Sequence, residues 1–235
     1  LSETVEQMRN LQLKKPDVAI IEAVAITEDG GIIPTTSVGN SASFAIFAEK
    51  VIVEINTNLS PAFEGLHDIY IPTYRPTRQP IPLTQVDERI GTHAINIDPA
   101  KIVGIVINND LHDSPSTVTA PDDETQGIAD HLIAFFEKEV AEERLPKNLG
   151  PLQAGIGSIA NAVLTGLKDS NFEDLVMYSE VLQDCTFELI DAGKMKFASG
   201  SSITLSAQCG ERVFGNLEHY KDKLVLRPQE ISNHP

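Results

Sequence analysis

Residues 174–184 read Asp174-Leu-Val-Met-Tyr-Ser-Glu-Val-Leu-Gln-Asp184, and the interpretation of this stretch decides the fold. Leu175, Val176, Met177, Val181 and Leu182 give 174–182 the character of a buried strand, yet Glu180 sits inside the run. Carrying an unpaired carboxylate into an apolar interior costs several kcal/mol. Either Glu180 lies at a strand end and faces water, or the chain keeps it there for chemistry.

Similar apolar runs recur on both sides. Residues 17–27, 50–56, 101–108, 197–206 and 223–227 are short and rich in branched side chains, the composition of strands. Helical patterning falls between them, at 2–12, 41–49, 124–144, 158–168, 183–192 and from 207 to about 220. Strands alternating with helices predict an α/β fold with mainly parallel sheets. Residues 57–100, rich in proline and turn formers, form a long connector that is ordered only if it packs or binds something. The stretch 112–124 has linker composition and divides the chain into two open α/β units, 1–112 and 113–235.

Composition narrows the function. A net charge of −16 argues against nucleic acid or an anionic membrane surface as the main partner. No window holds the ~18 apolar residues of a membrane span, and the start, LSETVEQMRN, lacks the features of a signal peptide. Cys185 and Cys209 share no metal-ligand spacing with histidine, so no metal site is expected, and a reducing compartment fits them better than a disulfide framework.

The segment Gly155-Ile-Gly-Ser-Ile-Ala160 opens a helix and fits the pattern G-x-G-x-x-A. Glycines at such a place let a ligand approach the backbone, and free N–H groups at the helix start attract anions. A dinucleotide site would also want an acidic residue ~20 positions on, and Glu180 follows Gly155 by 25 positions. Against that reading, the fingerprint should follow a strand, whereas LPKNLGPLQA is broken by proline and glycine.

Several segments together resemble the acetyl-CoA hydrolase/transferase family, the class I CoA-transferase group that includes succinyl-CoA:acetate and 4-hydroxybutyrate CoA-transferases. They are AITEDGGIIPTTSVGNSASF (25–44), KVIVEIN (50–56), FEGLHDIYIP (63–72), GIGSIANAVLTGL (155–167), YSEVLQD (178–184) and ISNHP (231–235). The resemblance implies two incomplete units of the CoA-transferase type, the second carrying the catalytic glutamate, in what is a central piece of a longer enzyme. Glu180 matches the nucleophile, which exchanges coenzyme A between an acyl-CoA and a carboxylate through a glutamyl-CoA thioester. The Ile156 N–H, freed by Gly155 and Gly157, matches an oxyanion donor, and Asn233 matches a residue that positions the thioester. The family's second oxyanion donor lies in a glycine-rich loop C-terminal to this chain. Homo-oligomerisation, and a cytoplasmic location (mitochondrial in a eukaryote), follow from the same resemblance. An acyl-CoA hydrolase and a catalytically silent binding module are the alternative functions.

Other polar residues have plainer readings. Asp184 caps or forms a salt bridge, Tyr178 packs, and residues 37–40 shape a turn. His67 and His112 are not expected to act as bases despite their acidic neighbours. Lys194, Lys196, Arg212 and Arg227 are read as solubility charges rather than phosphate contacts.

Overall fold

The computed structural model describes residues 2–73, 76–109, 115–116 and 122–233. The division at 112/113, His112 and most of the 112–124 linker lie outside the described residues.

After helix α1 (Ser2–Arg9) come the strands of the first sheet, β1 (Val18–Ile26), β2 (Ile32–Pro34), β3 (Lys50–Asn56) and β4 (Ile102–Asn108), ordered β2-β1-β3-β4. β1 and β2 form an antiparallel hairpin across Asp29-Gly30-Gly31. Gly30 has φ +87, and a Cβ there would stand 2.7 Å from Pro99, so glycine is required. Helix α2 (Ser41–Phe47) then carries the chain to β3, which runs parallel to β1 from Val18↔Lys50 to Ala23↔Ile55. β4 joins β3 in parallel.

Helices α3 (Asp123–Ala141) and α4 (Ser158–Asp169) pack together and flank the short strand β5 (Pro151–Leu152). Asp122 caps α3 by accepting from the Thr125 N–H at 2.8 Å, while Thr125 Oγ1 accepts from the Asp122 N–H at 2.9 Å. The expected 174–182 strand is in fact two. β6 (Leu175–Tyr178) lies inside the second sheet, whereas β7 (Val181–Leu182) leaves it. The expected 197–206 strand divides in the same way, into β8 (Met195–Gly200) and β9 (Ser202–Ile203), and β7 pairs with β9. Helix α5 (Asp184–Asp191) precedes β8; α6 (Ala207–Phe214), β10 (Leu224–Leu226) and the single-turn α7 (Gln229–Ser232) follow β9. The second sheet is wholly parallel, ordered β10-β8-β6-β5. The architecture is therefore α/β with mainly parallel sheets.

One contiguous buried core runs from Ile21, Ile33 and Val53 of the first sheet to Leu175, Met177 and Leu226 of the second. The long connector is ordered because its backbone is pinned at several points. Ile69 and Thr92 exchange hydrogen bonds at 2.6 and 3.1 Å, and Ile95 exchanges them with Ile32 at 2.8 and 3.0 Å. Asp68 N–H donates to the Leu226 carbonyl at 2.9 Å, and Leu226 N–H to the Leu66 carbonyl at 2.8 Å.

Just after β10, Arg227 is fully buried and paired with the equally buried Asp68. Its guanidinium also donates to Ser199 Oγ at 2.9 Å and to the Val86 carbonyl at 3.1 Å. Asp68 in turn accepts from the Ile90 and Gly91 amides at 3.1 and 2.6 Å. Arg227 is thus a structural cation with no route to a ligand phosphate. Arg227→Ala would leave the Asp68 charge buried and unpaired, at a cost of roughly 3–5 kcal/mol in denaturant-melt stability, whereas exposed Lys196→Ala should change it by less than about 1 kcal/mol.

Beside that pair, His67 donates from Nε2 to the Thr35 carbonyl at 2.9 Å, because a carbonyl can only accept. Its buried Nδ1 has no partner among the described residues, and desolvation lowers its pKa to about 4 from the ordinary 6.5. Between those values the unfolded chain holds the extra proton, so stability is full above pH 6.5 and declines as pH falls through the window. The decline is up to ~3 kcal/mol for this residue. His67→Gln keeps a donor for Thr35 and should flatten that part of the curve, as read from urea melts at about pH 7.5 and about pH 4.5.

Candidate active site

Because β5, β6, β8 and β10 are parallel, their carboxyl ends gather at one edge, the place where open α/β sheets bind ligands. Four loops leave that edge: the glycine segment after β5, Ser179–Glu180 after β6, Ser201 after β8, and Arg227–Pro228 leading to α7 after β10.

The sequence expectation that the glycine segment lacks a preceding strand is corrected. Pro151–Leu152 is a strand in register with Val176–Met177 of β6. Proline is tolerated because this is an edge strand. Two residues further on, the loops remain stapled, as Ser179 Oγ donates to the Ala154 carbonyl at 3.0 Å. Gly155 therefore follows directly on a residue bonded to the immediate neighbour of Glu180. The order strand, glycine loop, helix holds, with α4 starting at Ser158 right after Gly157.

Glu180 occupies the gap between β6 and β7 and is exposed, so its position carries no burial cost. Its carbonyl accepts from the Ser201 and Ser202 amides at 2.7 and 3.2 Å and from Ser201 Oγ at 3.2 Å. Its carboxylate Oε1 accepts from Gln229 Nε2 on α7 at 3.2 Å. In the glycine loop, Ile156 is 73% exposed, and its N–H makes no hydrogen bond among the described residues. Gly157 has φ +152, a conformation almost reserved for glycine, whereas Gly155 is not at positive φ and has room for a Cβ. The glycine loop forms one wall of an apolar groove of about 530 Å³, shared with Leu132 and Phe136 of α3 and Ile159 and Val163 of α4. A second cavity of about 710 Å³ is lined by hydroxyl side chains, Ser202 among them, by Glu211, and by apolar Ile203, Leu205 and Phe214.

Asn233 lies just past α7, exposed, with its N–H on the Gln229 carbonyl at 2.9 Å. One helical turn thus links it to the residue that holds Glu180. Tyr178 is half-buried, its O–H donates to the Ile231 carbonyl, and burial raises its pKa, so it acts as a tether. Asp184 accepts from the Ser206 amide at 2.9 Å and from its hydroxyl, and so holds the residue that caps α6. Lys194 donates to the Ser170 carbonyl, Lys196 pairs with Asp174 and Arg212 with Asp191. Burial raises both thiols, Cys209 to about 12, so neither is a ready nucleophile. Among the described residues no cluster of three or more His, Cys, Asp or Glu could hold a metal ion, and no helix is long and apolar enough to cross a membrane.

Gln229 had no place in the sequence expectation. It stands two residues before the ISNHP segment, directly after a proline, but nothing local to it reveals that Glu180 lies beside it in space.

Residues 2–107 match the acetyl-CoA hydrolase/transferase N-terminal domain. The chain is 49% identical over 227 residues to an acetyl-CoA hydrolase of Schizosaccharomyces pombe, covering 97% of this chain and 43% of that protein. The chain belongs to the acetyl-CoA hydrolase/transferase family. It is also 46% identical over 235 residues to a succinyl-CoA:acetate CoA-transferase of Clostridium kluyveri, covering all of this chain and 44% of that one. Among solved structures, a 4-hydroxybutyrate CoA-transferase from Porphyromonas gingivalis shares the fold, with TM-score 0.61 at 19% identity over 97% of this chain and 48% of that one. RipA from Yersinia pestis does so with TM-score 0.63 at 17% identity, over 97% and 44%. The chain thus spans less than half the length of the relatives it matches.

The two glycines should separate in mutagenesis. Gly157→Ala forces a side chain into a strained backbone, at about 1–3 kcal/mol, and displaces the Ile156 amide, whereas Gly155→Ala should leave the unfolding midpoint nearly unchanged. Thermal melts of the two variants side by side check this.

Proposed function

We propose that the protein carrying this chain moves coenzyme A between an acyl-CoA and a free carboxylate, with Glu180 as the covalent relay. The observation that carries the reading is a solvent-facing carboxylate at the carboxyl end of a central parallel strand, stapled through Ser179 to the start of the glycine loop, whose Ile156 amide has no partner among the described residues. Similarity to both acetyl-CoA hydrolases and a succinyl-CoA:acetate CoA-transferase supports acyl-CoA as the substrate class.

In this mechanism a Glu180 carboxylate oxygen attacks the thioester carbonyl carbon. The electron pair moves to the carbonyl oxygen, where the Ile156 N–H, freed by Gly155 and Gly157, donates to it. Preorganised donors of this kind supply a large part of the rate enhancement in acyl transfer. Collapse of the tetrahedral species breaks the C–S bond and leaves a mixed anhydride and CoA thiolate. The thiolate attacks the Glu180 carbonyl carbon, expelling the first carboxylate and forming the glutamyl-CoA thioester. An acceptor carboxylate then opens that thioester to a new anhydride, and returning thiolate releases Glu180 and the new acyl-CoA. A carboxylate nucleophile suits this exchange because each step trades one acid for another of similar energy, splitting a hard transfer into easier ones. Asn233, one helical turn from Gln229, is assigned the part of helping to position the thioester, as the family resemblance implies. The second unit, 113–235, carries this machinery, and no metal takes part.

Acyl-CoA hydrolysis is the second reading, favoured by the equally strong similarity to acetyl-CoA hydrolases. It uses the same first steps, with water replacing the acceptor. Incubation of the whole protein with acetyl-CoA, followed by borohydride and peptide mass mapping, should place the modification on Glu180. Glu180→Ala should abolish both the modification and turnover. Retained activity in Glu180→Ala would overturn the reading. Thiol release that requires no added acetate or succinate would assign hydrolysis over transfer.

A further inference from the structure

Helix α7 is a single turn, too short to hold itself by its own hydrogen bonds. It is nevertheless tied down on every side. Glu230 is 1% exposed and receives a two-pronged ion pair from Arg9 of α1, at 2.7 and 2.8 Å, across 221 positions of sequence. Ser43 of α2 donates to the same carboxylate at 2.9 Å. The Gln229 N–H donates to the Gly39 carbonyl at 2.8 Å, and Tyr178 of β6 donates to the Ile231 carbonyl. The product of these ties is one side chain placed at the site: Gln229, whose amide donates to Glu180 Oε1 at 3.2 Å. A carboxylate only accepts, so the amide nitrogen must be the atom that faces it.

We propose that Gln229 is a positioning residue for Glu180, and that the buried Arg9–Glu230 pair is the remote anchor that aims it. The inference rests on Glu180 being the nucleophile. One carboxylate oxygen is held by the amide, which restrains the side-chain torsions of Glu180 before attack and leaves Oε2 with no partner among the described residues, free to attack. An unrestrained glutamate on a water-facing bend would sample many rotamers, few of them aimed at a bound thioester. Arginine suits the anchor because its planar fork matches both oxygens of Glu230, which lysine cannot do.

The test uses the whole protein with Gln229→Leu, which keeps the bulk and removes the donor, and Arg9→Lys, which keeps the charge and loses the fork. Steady-state kinetics and the rate of borohydride-trapped label on Glu180 are measured together, with unfolding midpoints as the control. Gln229→Leu should lower kcat and the trapping rate by roughly 10- to 100-fold, the loss of one charge-assisted hydrogen bond, with KM for acyl-CoA within about twofold and the midpoint unchanged. Arg9→Lys should show the same split with a smaller drop. Should Arg9→Lys fail to fold, Glu230→Gln takes its place. Wild-type kcat and trapping in Gln229→Leu, or a change in KM alone, would overturn the inference while Glu180 labelling in the parent still upheld the nucleophile. Absence of label on Glu180 in the parent would sink both.

Discussion

Arg227 carries a permanent charge to a place where water cannot reach it, and much of the chain is arranged to receive it. Asp68, Ser199 and two backbone carbonyls of the long connector surround the guanidinium. Buried pairs of this kind add little net stability over an apolar substitute, because desolvation consumes most of the Coulombic gain. What the pair fixes is geometry. It ties the end of β10 in the second sheet to a connector that belongs to the first, and so sets where the chain leaves the sheet and where α7 begins. Without it, residues 57–100 would still be held by core side chains such as Phe63, Leu66 and Ile95 and by backbone pairs, but not tied to the end of β10 by charge.

The site is a consequence of parallel strands. A parallel sheet delivers all its carboxyl ends to one edge, so residues distant in sequence arrive as neighbouring loops. The glycine segment, Glu180 and Ser201 come together in this way, and the ties from α1 and α2 hold α7 beside them. On the proposed reading, the relatives named hydrolase and those named transferase would share every step up to the glutamyl thioester. Their near-equal similarity to this chain, 49% and 46%, fits a set of residues that serves the shared steps. Whether water or a carboxylate opens the thioester would then depend on how well the rest of a relative-length chain closes over the exposed Glu180.

The fold class was legible because long apolar runs such as 17–27 and 50–56 leave few alternatives, and because the helical period of α3 and α4 is strong. The break inside 174–182 was not. Periodicity cannot reveal that Tyr178 and Val181 belong to different sheets, since the change comes from pairing with Ser202–Ile203 about twenty residues later. The oddity of Glu180 in an apolar run was the visible trace of that break. The two-residue strand β5 was missed because it begins with a proline directly after Gly150, and its strand character comes wholly from pairing with β6. Arg227 looked like one more surface charge, and its burial depends on partners some 140 to 160 positions away. Glu180 and the glycine loop were found through resemblance to a family, whereas Gln229 needed coordinates, as no local pattern joins it to Glu180.

The three hydrogen bonds on the Glu180 carbonyl have one more consequence. They tie the main chain of Glu180 to the bend between β8 and β9, which restrains the loop against swinging. On the proposed reading, travel between anhydride, thioester and free acid would then come from rotation about side-chain bonds and from small shifts of the bound coenzyme. A catalyst of this design would keep its backbone still through every covalent state, and successive intermediates would differ by torsion angles rather than by opening and closing.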